Sequence, residues 1–251
     1  MAKNKTVFVC QNCGAESSKW IGRCPSCREW NSYHEEIIPG SASKESSPVL
    51  SRERRKPERL DEIRSDEFSR QRSGIEELDR ILGGGIVTGS LILLGGEPGV
   101  GKSTLALQIA LALKDKKILY VSGEESEEQI SLRAGRMKKS NPECYILSET
   151  DLERILVHAE NLKPGLIIVD SIQTISTSSL ESSAGTVSQV RECAAQLLKY
   201  SKITGIPVFL IGHITKDGTL AGPKVLEHIV DVVLYFEGDN NYVYRIVRSV
   251  K

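Results

Sequence analysis

Eight consecutive residues, Gly96, Glu97, Pro98, Gly99, Val100, Gly101, Lys102 and Ser103, fit the pattern G-x-x-x-x-G-K-[ST] and, with Thr104 next in line, could cradle a chain of phosphates. The glycines let backbone N–H groups turn toward an anion, and a helix opening near Ser103 adds the positive end of its dipole. Lys102 can reach the β- and γ-phosphates of ATP, and Ser103 can ligate Mg²⁺. A second metal position is expected from Asp170, which ends the apolar run Leu166-Ile-Ile-Val-Asp170 and would hold Mg²⁺ through water. Hydrolysis also needs a group that deprotonates or orients water. Two adjacent carboxylates, Glu124 and Glu125, follow the run Ile118–Val121. Glu124, nearer the strand end, is the first candidate base and Glu125 the second, while Ser122 or Ser126 can cap the helix that follows.

Four of the six cysteines form two C-x-x-C pairs, Cys10/Cys13 and Cys24/Cys27. Two residues between thiolates let one tight turn aim both sulfurs at a single ion, so the spacing predicts a structural Zn²⁺ site. Four thiolates fill a tetrahedral site and leave no position for a catalytic water. Cys144 and Cys193 stand apart in apolar surroundings and are expected as small buried core residues. Trp20 and Trp30 are expected to pack the small zinc core.

The elements that would position these groups show as alternating apolar runs and helical patterns. Leu91–Leu94, Ile118–Val121, Leu166–Val169, Val208–Ile211 and Val232–Phe236 read as strands. Leu105–Leu113 is apolar almost all round, as a helix buried against a sheet must be, and Asp151–Leu162 and Thr186–Thr204 read as amphipathic helices. Alternation of this kind predicts an α/β fold with a mainly parallel sheet. The division expected is a zinc finger over 1–35, a flexible linker over 36–58 rich in Ser, Glu, Lys and Arg, and an ATPase domain over 59–251. The linker ends in Arg52-Glu-Arg-Arg-Lys56, a charge run expected to be solvated. Lys+Arg and Asp+Glu balance at 33 each, so no global field recommends a polyanion or a membrane and any such site must be local. No apolar run nears the roughly 18 residues of a membrane span, and a cytoplasmic location is expected.

Further motifs narrow the reading: Gly83-Gly-Gly85-Ile-Val-Thr-Gly89-Ser90, Gly123-Glu-Glu-Ser126, Val169-Asp-Ser-Ile-Gln173, Gly212-His-Ile-Thr-Lys216-Asp-Gly and Ala221-Gly-Pro-Lys-Val-Leu-Glu-His228. With the four cysteines and the phosphate loop, they resemble the RadA (Sms) family of bacterial DNA repair proteins, within the RecA-like ATPase superfamily, across essentially the whole chain. The resemblance implies a zinc finger joined to a RecA-like core that hydrolyses ATP, binds single-stranded DNA, forms a hexameric ring and drives branch migration alongside the RecA recombinase. It also implies that His213 and Lys216 sense the γ-phosphate and link it to DNA. In that family the sequence continues past Lys251 through the signature Lys-Asn-Arg-Phe-Gly into a Lon-protease-like domain. The arginine of that signature would act across a subunit interface, a kind of residue that contributes about 10³–10⁵ in rate elsewhere, so weak turnover is expected of these residues alone.

Two stretches have the composition of DNA-facing loops. Ser176–Ser188 follows the Asp170 strand but contains no cation, whereas Ile214–Lys224 carries Lys216 and Lys224. The second is the better candidate because phosphate neutralisation requires cations. Two other classes remain open. One is a KaiC-like ring-assembly protein that does not move along DNA, and the other an ATP-switched zinc adaptor.

Overall fold

The structure, a computed structural model, describes residues 5–38, 59, 70–213, 223–238 and 244–251. Most of the expected linker, including Arg52–Lys56, and the loop position Lys216 lie outside the described residues, as does the side chain of Lys224.

Near the N-terminus, β1 (Lys5–Cys10) pairs antiparallel with both β2 (Glu16–Ser17) and β3 (Tyr33–Ile38). Ile38 still pairs with Lys5, so the sheet runs three residues into the segment read as linker. The buried centre of this sheet is Cys10, Cys24 and Tyr33, with Phe8, Cys13, Ala15 and Cys27 packed on it. Trp20 and Trp30 take no part in it: they are 56% and 65% exposed. That corrects the expected packing: the centre is formed by Cys10, Cys24 and Tyr33 with Phe8, Cys13, Ala15 and Cys27, and neither indole belongs to it. Trp30 instead faces the Arg23 guanidinium, 5.5 Å from its ring centroid. The Arg191 Nη1 donates to the carbonyl of Gly14 at 3.3 Å, joining this unit to the larger one.

The larger unit begins with β4 (Arg70–Gln71), α1 (Glu76–Ile81) and β5 (Ile86–Val87), where β4 and β5 form a small antiparallel pair. Then follow β6 (Leu91–Gly96), α2 (Lys102–Ala112), β7 (Ile118–Ser122), α3 (Glu127–Arg136), β8 (Cys144–Ser148), α4 (Leu152–Leu162) and β9 (Leu166–Asp170). The chain continues through α5 (Val187–Thr204), β10 (Val208–His213), α6 (Pro223–Leu226), β11 (Val232–Gly238) and β12 (Arg245–Ser249). The sheet order is β12-β11-β6-β10-β9-β7-β8, parallel throughout except for β12.

Successive residues of a strand point to opposite faces, and here both faces are covered. Leu91, Leu93, Leu119, Val121, Ile167, Val169, Val208 and Leu210 join the core under α4 and α5. Their neighbours Ile92, Leu94, Ile118, Tyr120, Leu166, Ile168, Phe209 and Ile211 join the core under α2. Burial on both faces is why these strands read as continuous apolar runs rather than alternating ones. The expected strands and helices are all present. In the seven-stranded sheet the unexpected strands are the two edges, β8 and β12, whose partly exposed residues carry no such run. Cys144, on β8, is accordingly half-buried rather than buried, while Cys193 is fully buried.

The stretch read as the loop Ser176–Ser188 is tied down at several points. Ser176 bridges to Asp151, and α5 begins at Val187, capped by Thr186. The buried Gln189 amide accepts from the Thr177 N–H and donates to the carbonyls of Thr177, Leu180 and Ser182. Among the described residues, no helix is long and apolar enough to cross a membrane.

Candidate active site

The phosphate loop leaves β6 at Gly96 and enters α2 at Lys102. A methyl group on Gly96 would lie 2.3 Å from the Phe236 carbonyl oxygen, so only glycine fits against β11. Gly101, the residue before the helix, has φ 111° and offers no side-chain cap. The first N–H groups of α2 therefore remain unclaimed by a capping side chain and face the loop. Lys102 is 3% exposed. Its Nζ donates to the carbonyls of Gly96 and Glu97 at 2.7 and 2.9 Å, lying across the mouth of the loop. Burial pushes its ammonium down to about 8, although the charges of Asp170 and Glu124 pull the other way.

Asp170 ends β9 two strands away from β6, and the Ser103 hydroxyl lies near enough to its carboxylate to favour the charged form. The Tyr120 hydroxyl donates to Asp170 Oδ2 at 2.6 Å from the neighbouring strand β7. Burial raises the Asp170 carboxyl above its ordinary value, and the two hydroxyl donors oppose that rise. Ser103 and Asp170 thus form an oxygen pair suited to a divalent cation beside the phosphate loop, with the Tyr120 side holding the carboxylate in place.

The two glutamates part company. Glu124 Oε1 accepts from Ser171 Oγ at 2.6 Å, and His213 Nε2 lies 3.3 Å from the same oxygen. Glu125 turns to Arg133, with which it forms a hydrogen-bonded ion pair. The turn that separates them is held by Ser122, whose hydroxyl donates to the Glu125 carbonyl and accepts from its N–H. Ser126 caps α3 in a reciprocal box with Gln129. Gly123 has no space for a side chain, since a methyl there would meet Thr174 Oγ1 at 1.9 Å. Gln173 Nε2 donates to the His213 carbonyl at 3.4 Å, and both Gln173 Oε1 and His213 Nδ1 are buried without a hydrogen-bond partner.

Lys102, Ser103, Glu124, Asp170 and His213 therefore converge at the carboxyl ends of β6, β7, β9 and β10. Sequence reasoning did not single out Tyr120, Ser171, Gln173 or Arg133. Ser171 and Gln173 lay inside a quoted motif, but Tyr120 reads only as one more strand residue and Arg133 as one more helix surface charge.

The second candidate site is the cysteine cluster, where Cys10 Sγ lies 3.6 Å from Cys27 Sγ and Cys13 Sγ 3.5 Å from Cys24 Sγ. All four sulfurs fall within 4.8 Å of one another. Tetrahedral Zn–S bonds require sulfurs about 3.8 Å apart, so the donor set fits Zn²⁺. Burial pushes the Cys24 thiol up, yet the N–H groups of Cys27 and Ser26 with the Tyr33 hydroxyl bring it down to about 6. Burial and its sulfur neighbours raise Cys13 to about 12.

Residues 56–219 match the family described as the AAA domain, and residues 8–35 match the Rubredoxin metal binding domain. The whole chain is similar to "DNA repair protein RadA" of Bacillus subtilis, 47% identical over 255 residues, and to that of Listeria monocytogenes, 48% identical over 252. These alignments cover 56% and 55% of the two relatives, so the chain spans about half the length of the curated relatives it matches. A KaiC-like protein from Pyrococcus horikoshii has the same fold at TM-score 0.60 and 21% identity, covering 73% of this chain and 88% of that one.

Proposed function

Because the chain belongs to the AAA domain family and is a relative of the DNA repair protein RadA, we propose that it is a DNA-dependent ATPase of recombinational repair. The observation that carries the reading is the convergence of Lys102, Ser103, Asp170, Glu124 and His213 on one sheet edge, with Glu124 held between Ser171 and His213.

In this reading the N–H groups around Gly99, Gly101 and Lys102 bind the β-phosphate of ATP, and Lys102 exchanges its two carbonyl acceptors for phosphate oxygens. Ser103 and Asp170 would hold Mg²⁺, which would supply charge neutralisation for the phosphates. Glu124 takes the proton from the attacking water, while Ser171 fixes the carboxylate's orientation. Glu125, engaged with Arg133, shapes the turn instead. His213 sits beside Glu124 at the head of the segment carrying Lys216 and Lys224, so occupancy of the γ-phosphate position can bias that segment's hold on single-stranded DNA. Branch migration, a hexameric ring and work alongside the RecA recombinase complete the proposal.

The test is steady-state ATP hydrolysis with and without single-stranded DNA at low salt, with Lys102→Ala as the blank. Stimulation by DNA that vanishes in the blank is expected. Nucleotide binding with turnover indifferent to DNA would overturn the DNA-dependent reading and favour a ring-assembly protein of the KaiC-like kind.

A further inference from the structure

Arg245 opens β12, at the edge of the sheet, far from every motif discussed above. Its guanidinium nevertheless lies on the phosphate loop: a methyl group on Gly101 would sit 2.8 Å from Arg245 Nη1 and 3.6 Å from its Cζ. Register explains the placement. Phe236 of β11 pairs with Gly96, the first residue of the loop, and Gly238, two residues on, pairs with Arg245. The β11–β12 pair thus backs the loop, and Val100 closes the gap, 3.3 Å from where a methyl on Gly96 or on Gly238 would be. Among the described residues, the Arg245 guanidinium makes no hydrogen bond or ion pair; only its backbone is engaged, in the pairing with β11.

Sheet order then orients whatever the loop holds. Glu124 just past the end of β7, Asp170 on β9 and His213 on β10 all stand on one side of β6, while β11 and β12 stand on the other. A nucleotide whose terminal phosphate lies at the carboxylates must send its nucleoside toward β11 and β12. Lys102 already serves the phosphates from within the loop. What remains over Gly101 is a planar, permanently charged group on the nucleoside side, of the kind that stacks on base faces.

We propose that Arg245 is a nucleotide-contacting residue that stacks its guanidinium on the base of the bound nucleotide, in the same subunit that supplies the phosphate loop. The proposal rests on the nucleotide-site reading above and adds the group that holds the nucleoside end. It also accounts for Gly101 in a second way: any side chain there would displace the guanidinium from its seat.

The experiment is equilibrium binding of ATP, ADP and inorganic tripolyphosphate, each with Mg²⁺, to the parent chain, Arg245→Ala, Arg245→Lys and Lys102→Ala. Arg245→Ala is expected to weaken ATP and ADP each about tenfold, in line with the loss of one base-stacking contact, and to leave tripolyphosphate within about twofold. Arg245→Lys, which keeps the charge but loses the plane, is expected to weaken ATP nearly as much as alanine does. Equal weakening of tripolyphosphate, or full rescue by lysine, would make Arg245 a phosphate clamp and overturn the stacking role. Unchanged ATP binding in both variants would overturn any contact. Failure of the parent chain to bind ATP, or ATP and tripolyphosphate binding that survives Lys102→Ala, would instead sink the nucleotide-site reading. Unchanged thermal midpoints for the Arg245 variants separate lost contact from lost fold, as an exposed edge position permits.

Discussion

Ser171 Oγ donates to Glu124 Oε1 at 2.6 Å, so the residue that follows the proposed metal-site aspartate also holds the proposed base. The two belong to different crossovers of the sheet, and they meet because Ser122 and Asp170 are register partners on β7 and β9. One neighbouring pair of strands thereby couples the cation position to the water-activating position.

Replacement of each glutamate separately should distinguish them. Glu124→Gln is expected to bind ATP normally and to lower kcat by about 10²–10⁴, the usual contribution of a general base. Glu125→Gln, which breaks only the partly exposed pair with Arg133, is expected to retain kcat within a few fold. Single-turnover hydrolysis with parallel binding measurements checks both, and the opposite ranking would transfer the role to Glu125.

Tyr120→Phe removes one hydroxyl without opening a cavity. The Tyr120 phenol is buried, and burial together with the Asp170 charge holds it well above its ordinary titration range, so it remains a donor at any working pH. Loss of this charge-assisted bond is expected to cost about 1.5–3 kcal/mol of stability and to raise the Mg²⁺ concentration needed for half-maximal hydrolysis. Denaturant titration and a Mg²⁺ titration read the two effects independently. An unchanged Mg²⁺ requirement would reduce Tyr120 to a packing residue.

Nucleotide affinity should depend on pH through Lys102. The free ammonium titrates at about 8 because it is buried, and a bound polyphosphate favours its charged form. Below pH 8 the lysine is charged before and after binding, so affinity is flat. Above pH 8 binding must take up a proton, and the dissociation constant should rise toward about tenfold per pH unit. ADP binding measured from pH 7 to 9.5 checks this, and the slope should disappear in Lys102→Arg, whose charge does not titrate.

Removal of metal should unfold the N-terminal sheet and spare the larger one. The cluster around its sulfurs is Cys10, Cys24 and Tyr33, with Val7 and Val9 of β1 also buried, too small to stand without the metal. Both tryptophans of the chain, Trp20 and Trp30, lie in this unit, so tryptophan anisotropy reports it alone. Chelation, or Cys24→Ser, is expected to abolish the ordered tryptophan signal and leave ATP binding intact. Loss of ATP binding as well would mean that the Arg191 to Gly14 contact supports the larger core.

Gln189→Ala should loosen the segment from Thr177 to Ser182. Its amide serves one N–H and three carbonyls there, and stranding buried members of that set is expected to cost about 2–3 kcal/mol. Limited proteolysis should then cut within this segment first.

Much of this protein is written in short stretches of its sequence. The cysteine spacing, the phosphate loop and the apolar run ending in Asp170 are each local patterns, in which a few consecutive residues determine both the conformation and the chemistry. The buried strands were legible for the same reason, since a strand covered on both faces must be apolar at every position. The edge strands β8 and β12 were not, because a half-exposed strand leaves no run to read. Nor could spacing choose between Glu124 and Glu125, which are equivalent in composition and differ only in which neighbour each meets: Ser171 and His213 for one, Arg133 for the other. Tyr120 beside Asp170 and Arg245 beside Gly101 are separated by 50 and 144 positions in the chain, and no local pattern carries such a pairing. Strand order and register decide it, because they are set by how the whole sheet buries its two faces rather than by any one segment.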